Sequence, residues 1–135
     1  MRSPGQYTAL TRGIRIDVEP TFLPDRSTPD RHHFLWAYRV RIENQGGETI
    51  QLRSRHWRIT DANGLNQDVQ GPGVVGEEPV IPPGETFEYV SAAPLATPSG
   101  IMRGSYGMET AAGEAFEAQI PAFSLDSPHD HRRPN

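Results

Sequence analysis

The sequence predicts an all-β fold, an antiparallel β-sandwich or barrel, and three observations predict it. The first is period-two alternation. Phe34, Trp36, Tyr38, Val40 and Ile42 occupy every second position, with Leu35, Ala37, Arg39 and Arg41 between them. A strand gathers these five on one face, whereas a helix scatters them around its circumference. The second is punctuation: 13 glycines and 13 prolines in 135 residues leave 30–45 and 48–63 as the longest stretches free of both, and both stretches alternate. The third is the recurrence of turn-forming clusters between alternating runs, with no helical window among them.

The elements follow in chain order. Ile14, Ile16 and Val18 form a first strand. Residues 23–33, with Pro24, Pro29 and several charges, read as a mobile loop. The Phe34 strand comes next, and Asn44-Gln45-Gly46-Gly47 turns it into a run carrying Ile50, Leu52, Trp57 and Ile59. Asp61-Ala62-Asn63-Gly64 closes that run. Pro82-Pro83-Gly84-Glu85 opens a strand with Phe87 and Tyr89. Thr97-Pro98-Ser99-Gly100 opens one with Met102, Tyr106 and Met108, Gly104 lying on the same face. Ala111-Ala112-Gly113 separates it from Phe116, Ala118 and Ile120. One detail stands apart. The buried phase is even at Ile50 and Leu52 but odd at Trp57 and Ile59. A strand changes face only through a bulge, a kink or a switch of sheet, so an irregularity is placed within Arg53-Ser54-Arg55-His56.

Composition bounds the chemistry. The length suits one domain, placed at residues 1–126, with the first ten or so residues flexible and 127–135 a disordered tail. There is no cysteine, which excludes disulfides, thiolate metal sites and cysteine nucleophiles. All 13 basic residues are arginine, which excludes Schiff-base lysines and a phosphate-loop lysine. The start has no apolar run, and the longest hydrophobic run, residues 34–38, is far below the ~20 residues of a membrane span. The expectation is a cytoplasmic protein with no membrane insertion. Net charge is −4, which gives no support for nucleic-acid binding. The charge is unevenly placed: residues 1–60 carry ten arginines against six acids, whereas 61–126 carry Arg103 alone against ten. Either the halves pack with complementary fields, or the arginines present a face to an anionic partner.

Two motifs carry candidate sites. Gly71-Pro72-Gly73-Val74-Val75-Gly76 satisfies G-x-G-x-x-G. The dinucleotide form of that motif requires a helix after the loop, and here Glu77-Glu78-Pro79 follows. The loop is therefore either a backbone device needing positive φ or close packing, or a nest of amides for a small anion. Arg53, Arg55 and His56 beside Trp57 form the second patch. Two guanidinium forks and an imidazole suit a carboxylate or phosphate; alternatively the arginines pair with acids such as Asp61, Glu85 or Glu88, and Trp57 is a core residue. His32, His33, His56, His129 and His131 show no converging set of three or four ligands, so no metal site and no cofactor is assigned. Ser54 and His56 share a strand face but lack any sign of a third partner or oxyanion hole, so no catalytic residue is assigned and no enzyme is expected.

The segments from Leu52-Arg53-Ser54-Arg55-His56-Trp57-Arg58-Ile59-Thr60-Asp61-Ala62-Asn63-Gly64 through Gly71-Pro72-Gly73-Val74-Val75-Gly76-Glu77-Glu78-Pro79 closely resemble the ApaG (CorD) family of bacteria. Pro83-Gly84-Glu85, Thr97-Pro98-Ser99-Gly100, Gly104-Ser105-Tyr106 and Ile120-Pro121-Ala122-Phe123-Ser124-Leu125 continue the pattern over nearly the whole chain. Glu78 stands where the family more often has glutamine, and the histidine-containing tail falls outside the pattern. The resemblance implies a fibronectin type III/immunoglobulin-like sandwich of about seven or eight strands. It implies a cytosolic protein linked to cobalt tolerance and magnesium efflux, with no firmly attached enzymatic activity and a gene often beside a diadenosine tetraphosphate hydrolase. Related domains in eukaryotic F-box and polymerase-interacting proteins look like protein-binding modules. The expectation is a non-enzymatic protein-interaction module associated with divalent-cation (Co²⁺/Mg²⁺) homeostasis, with an unknown protein partner and a weak homodimer. The alternative is a nucleotide or phosphate-ligand sensor. Arg53, Arg55, His56, Gly71, Gly73, Gly76 and Glu77 are the candidate contact residues for either.

Overall fold

Among the residues that the structure describes, 6–130 of a computed structural model, the six alternating runs become strands and three further strands join them, nine in all. They are β1 (Tyr7–Thr11), β2 (Ile14–Phe22), β3 (Phe34–Asn44), β4 (Ile50–Asp61), β5 (Asn66–Pro72), β6 (Val80–Ile81), β7 (Thr86–Leu95), β8 (Gly100–Thr110) and β9 (Ala115–Leu125). Two sheets form, ordered β1-β2-β3-β7 and β5-β4-β8-β9, with β6 also paired to β4. Every pairing is antiparallel. The sheets stack as a fibronectin type III-like sandwich.

The in-phase residues meet between the sheets. Ile14, Ile16 and Val18 of β2 and Val40 and Ile42 of β3 are at most 1 % exposed. Trp57 is a core residue: its ring lies 5.3 Å from Tyr38, 6.0 Å from Phe123 and 6.3 Å from Tyr106, all edge-on. Such tilted aromatic pairs add roughly 0.5–1.5 kcal/mol each beyond the area they bury. Trp36 is also buried, and its indole N–H donates to the Asp126 carbonyl at 2.8 Å.

Three segments differ from the sequence expectation. Tyr7–Thr11, expected to be flexible, pairs with β2 from Tyr7↔Val18 to Thr11↔Ile14. Its alternation is weak because Tyr7 is its only large inward residue, packed 6.0 Å from Phe123. Residues 23–33, expected to be a mobile loop, fold as two 3-10 turns, Pro24–Arg26 and Pro29–Arg31, closed by a Thr28↔His33 bridge. Each turn begins with proline, whose fixed φ suits a first helical position, and Ser27 Oγ ties the segment to Leu23 and Leu35. Near the C-terminus, Ser127 donates to the Pro98 carbonyl at 2.6 Å, and the His129 ring sits 5.8 Å from Phe22 and 5.9 Å from Phe34. Residues 131–135, including His131, lie outside the described residues, as do 1–5.

The irregularity expected near Arg53 is a β-bulge. Leu52 pairs with Met108 and Ser54 with Gly107, so Arg53 is an extra residue opposite no partner on β8. Downstream of it β4 turns Trp57 and Ile59 inward, and Trp57 falls opposite Gly104. The strands approach so closely there that a Cβ on Gly104 would land on the His56 carbonyl oxygen and lie 3.2 Å from the Trp57 Cα. Gly104→Ala should therefore lose about 2–3 kcal/mol of stability. At Gly47 nothing stands within 4 Å of an added Cβ, so Gly47→Ala should change stability by less than about 0.5 kcal/mol. Urea unfolding of the two variants measures the contrast.

Candidate functional site

The bulge and the glycine motif are two sides of one feature. The Arg53 carbonyl accepts the Gly73 N–H at 2.9 Å, and Leu52 donates to the Pro79 carbonyl at 3.0 Å. The motif thus spans the gap between β5 and β6, alongside β4. Within it the Val74 and Glu77 amides and carbonyls bond to each other at 2.8 Å both ways. Val75 and Gly76 sit between them at φ 43 and 81, a two-residue turn with both centres left-handed. A β-branched residue is strained in that region, and Val75 is 54 % exposed. Gly73 is at φ 58, and a Cβ there would land on the Glu77 carbonyl. No helix follows. The amides of Gly73, Val74 and Glu77 are committed inside the protein, so positive φ and close packing account for Gly73 and Gly76.

The three cationic candidates do not converge. Arg53 is exposed; its Nε lies 3.3 Å from Glu78, and its Nη1 donates to Gln51 at 3.2 Å. Arg55 has the inward phase of Trp57. Its Nη1 donates to the Pro72 carbonyl at 2.9 Å and to the Gly73 carbonyl at 3.0 Å. The same guanidinium lies over Gly71, where a Cβ would be 3.1 Å from Nη2. His56 points to the outer face, its Nε2 3.0 Å from Asp68, which Arg58 also reaches at 3.2 Å. The expected partners of the arginines also differ. Asp61 accepts the Asn63 and Leu65 amides of its own turn, and Glu88 pairs with Arg39 and Arg41 rather than with the candidate patch. Glu77 is exposed beside the turn.

Register brings together a set that the sequence reading did not nominate. Tyr38 pairs with Ser91, Val40 with Tyr89, and Arg55 with Tyr106. A cleft of about 220 Å³ forms between the sheets, walled by Arg55, Tyr38, Tyr89, Ser91 and the turn from Val74 to Gly76. The Tyr89 and Tyr106 hydroxyls hydrogen-bond each other. Burial raises all three phenols, Tyr106 well above its ordinary value, and Arg55 opposes the rise in each. They are neutral at physiological pH. The inward phase of each tyrosine was legible; their meeting with Arg55 depended on strand order. A second, shallow groove of about 520 Å³ crosses the outer face of β4, β8 and β9, with His56, Arg58, Arg103, Ser105 and Gln119 in its lining. Among the described residues no group of three histidines or carboxylates is placed to hold a metal ion.

The same fold occurs in known proteins. The family model described as ApaG domain matches residues 24–110. Protein ApaG of Rhodospirillum centenum is 64 % identical over 129 residues, covering 96 % of this chain and 99 % of that relative. This chain belongs to the ApaG family. Protein ApaG of Parvibaculum lavamentivorans is 62 % identical over 126 residues, covering 93 % of this chain and 97 % of the relative. The crystal structure of a putative ApaA protein from Bordetella pertussis superposes with TM-score 0.83 at 42 % identity, covering 94 % of this chain and all of the other.

For this ApaG-family chain the geometry divides the arginines. Arg55→Ala leaves two loop carbonyls without their donor and should lose about 1–3 kcal/mol in urea unfolding, whereas the exposed Arg53→Ala should lose less than about 1 kcal/mol. Asp68 behaves differently. Hydrogen bonds, first from His56 and then from Arg58, hold its carboxyl below the ordinary range. A depressed acid contributes its full stabilisation above its unfolded pKa and loses it as pH falls through the lower folded value. His56→Gln should therefore move the Asp68 titration up toward an ordinary carboxylate, read by carbon NMR of the side-chain carboxyl between neutral and acid pH.

Proposed function

We propose that this ApaG-family chain is a non-enzymatic, cytoplasmic protein-interaction module whose partner acts in divalent-cation (Co²⁺/Mg²⁺) homeostasis. One observation carries the reading. Arg55, Gly73 and Glu77, three of the residues nominated from sequence, spend hydrogen bonds within the loop and its supporting strand: Arg55 on the Pro72 and Gly73 carbonyls, the Gly73 amide on Arg53, and Glu77 on Val74. They build a pinned loop with an exposed valine at its tip and two carboxylates, Glu77 and Glu78, behind it. A projecting, rigid, partly apolar loop supports contact with a macromolecule better than enclosure of a metabolite.

A second reading is favoured by one detail. The Val75 and Gly76 amides have no backbone acceptor among the described residues, and Arg55 stands in the cleft that they border. A small phosphate-bearing ligand suits that corner, in keeping with the nucleotide-sensor alternative. Calorimetry with ATP, GTP and diadenosine tetraphosphate at millimolar concentration separates the readings. The interaction module gives no heat, and saturable heat abolished by Arg55→Ala would replace it with the sensor. The positive test is affinity capture with the full chain from cells grown with and without cobalt. A reproducibly enriched protein, lost when Val75→Asp alters the loop tip, is the expected outcome; no enrichment at adequate sensitivity overturns the reading.

A further inference from the structure

The first sheet ends in an open edge. β7 pairs with β3 along its whole length and with no other described strand. Asn44 donates to the Glu85 carbonyl at 3.0 Å, which sets the phase of the ladder. In an antiparallel pair, alternate residues exchange both backbone bonds with the partner. Phe87, Tyr89, Ser91 and Ala93 therefore bond to β3, and the amides and carbonyls of Thr86, Glu88, Val90 and Ala92 point away from it. None of these outward groups has a backbone partner among the described residues. β1, at the other edge of this sheet, lies against β9. The free edge of the second sheet, β5, has polar side chains apart from Val69 and the closing Gly71 and Pro72, whereas β7 presents Val90 at 59 % exposure. Pro94 stops the donor row at its far end.

The cleft lies along this edge. Tyr89 and Ser91, the inward residues of β7, form one of its walls, and Arg55 is the only charged residue in its lining. Both hydrogen bonds of Arg55 leave from Nη1; Nε and Nη2 make none among the described residues. A strand laid against β7 would alternate its side chains. Those opposite Val90 would lie on the outer face beside its exposed methyls. Those opposite Tyr89 and Ser91 would turn inward, over the cleft and beneath the Val75–Gly76 turn.

We propose that β7 is an acceptor edge, on which an extended segment of the partner protein adds as a further strand of the first sheet and places an acidic side chain in the cleft against Arg55. The proposal rests on the interaction reading above and names its mode: main-chain bonds supply affinity, and the alternate inward position supplies specificity. The partner segment has an apolar or β-branched residue opposite Val90 and an aspartate or glutamate one residue away.

The test selects peptides from a random phage-displayed library on the full-length chain and synthesises those recovered. The expected peptides alternate β-branched residues with an acidic one. Their binding shifts the NMR amides of Thr86, Glu88, Val90 and Ala92 together with the Arg55 Nε signal. Val90→Pro removes an outward amide while leaving every bond to β3, and should weaken binding about tenfold or more. N-methylating the peptide amides that face β7 tests the same bonds with the protein unaltered, and replacing the acidic residue by glutamine should weaken binding comparably. Peptides that shift the outer groove of His56 and Arg103 instead, affinity unchanged by Val90→Pro and by N-methylation, or failure to recover any peptide would each overturn the proposal. So would a concentration-dependent dimer in sedimentation velocity that Val90→Pro abolishes, since a second copy would then own the edge. If the cellular partner is captured equally by Val90→Pro and wild type, the edge mode falls and the interaction reading stands; if neither captures a partner, both fall.

Discussion

A single extra residue in β4 organises the side of this sandwich that carries the glycine loop and the cleft. Arg53 has no partner on β8, and that one-residue surplus reverses the strand's phase. Upstream, Leu52 faces the core; downstream, Trp57 and Ile59 do. The reversal also turns Arg55 inward, where a guanidinium would be costly if it were both buried and unbonded. The chain meets that demand locally. Two carbonyls of the glycine segment accept from Arg55, and the Arg53 carbonyl accepts the Gly73 amide, one step beyond the Ser54↔Pro72 pair of the β4–β5 ladder. Bulge, arginine and loop thus meet at one corner, and Arg55 and the Val74–Gly76 turn wall the cleft there.

The uneven charge along the chain has a structural outcome. Arginines of the first half reach acids of the second: Arg12 to Glu114, Arg39 and Arg41 to Glu88, Arg53 to Glu78, Arg58 to Asp68. Within the first sheet, buried Asp17 collects Arg15, Arg41 and the Thr8 hydroxyl. Exposed pairs of this kind contribute little singly. Their larger effect is to remove net field from the sheet faces. Arg55 in the cleft and Arg103 in the outer groove have no acidic partner among the described residues, and neither do Arg26 and Arg31 of the two 3-10 turns.

Much of the fold was legible because burial on one face imposes a period of two. The β3 run, the inward phase of Tyr38, Tyr89 and Tyr106, and the discontinuity near Arg53 all follow from that rule. The elements that escaped lack the signal. β5 carries Val69 as its only sizeable apolar residue, and β6 is two residues long; both form because β4 offers unpaired backbone to them. The two 3-10 turns were hidden in a proline-rich segment that composition alone equates with a loop, and the packing of His129 on Phe22 and Phe34 joins residues far apart in the chain.

The candidate site divides along the same line. Residue order by itself determined that the protein is built of alternating antiparallel strands in a sandwich or barrel, that β4 is interrupted between Leu52 and Trp57, and that the glycine motif lacks the helix a dinucleotide site needs. These are properties of neighbouring residues, set by strand periodicity and backbone sterics. Tertiary structure alone decided that Arg53, Arg55 and His56 point to three different places, that Arg55 meets three phenols, and that β7 ends its sheet unpaired. Those facts depend on which strands become neighbours and in what register, and that is settled by long-range hydrogen bonding and packing, to which no local pattern is sensitive.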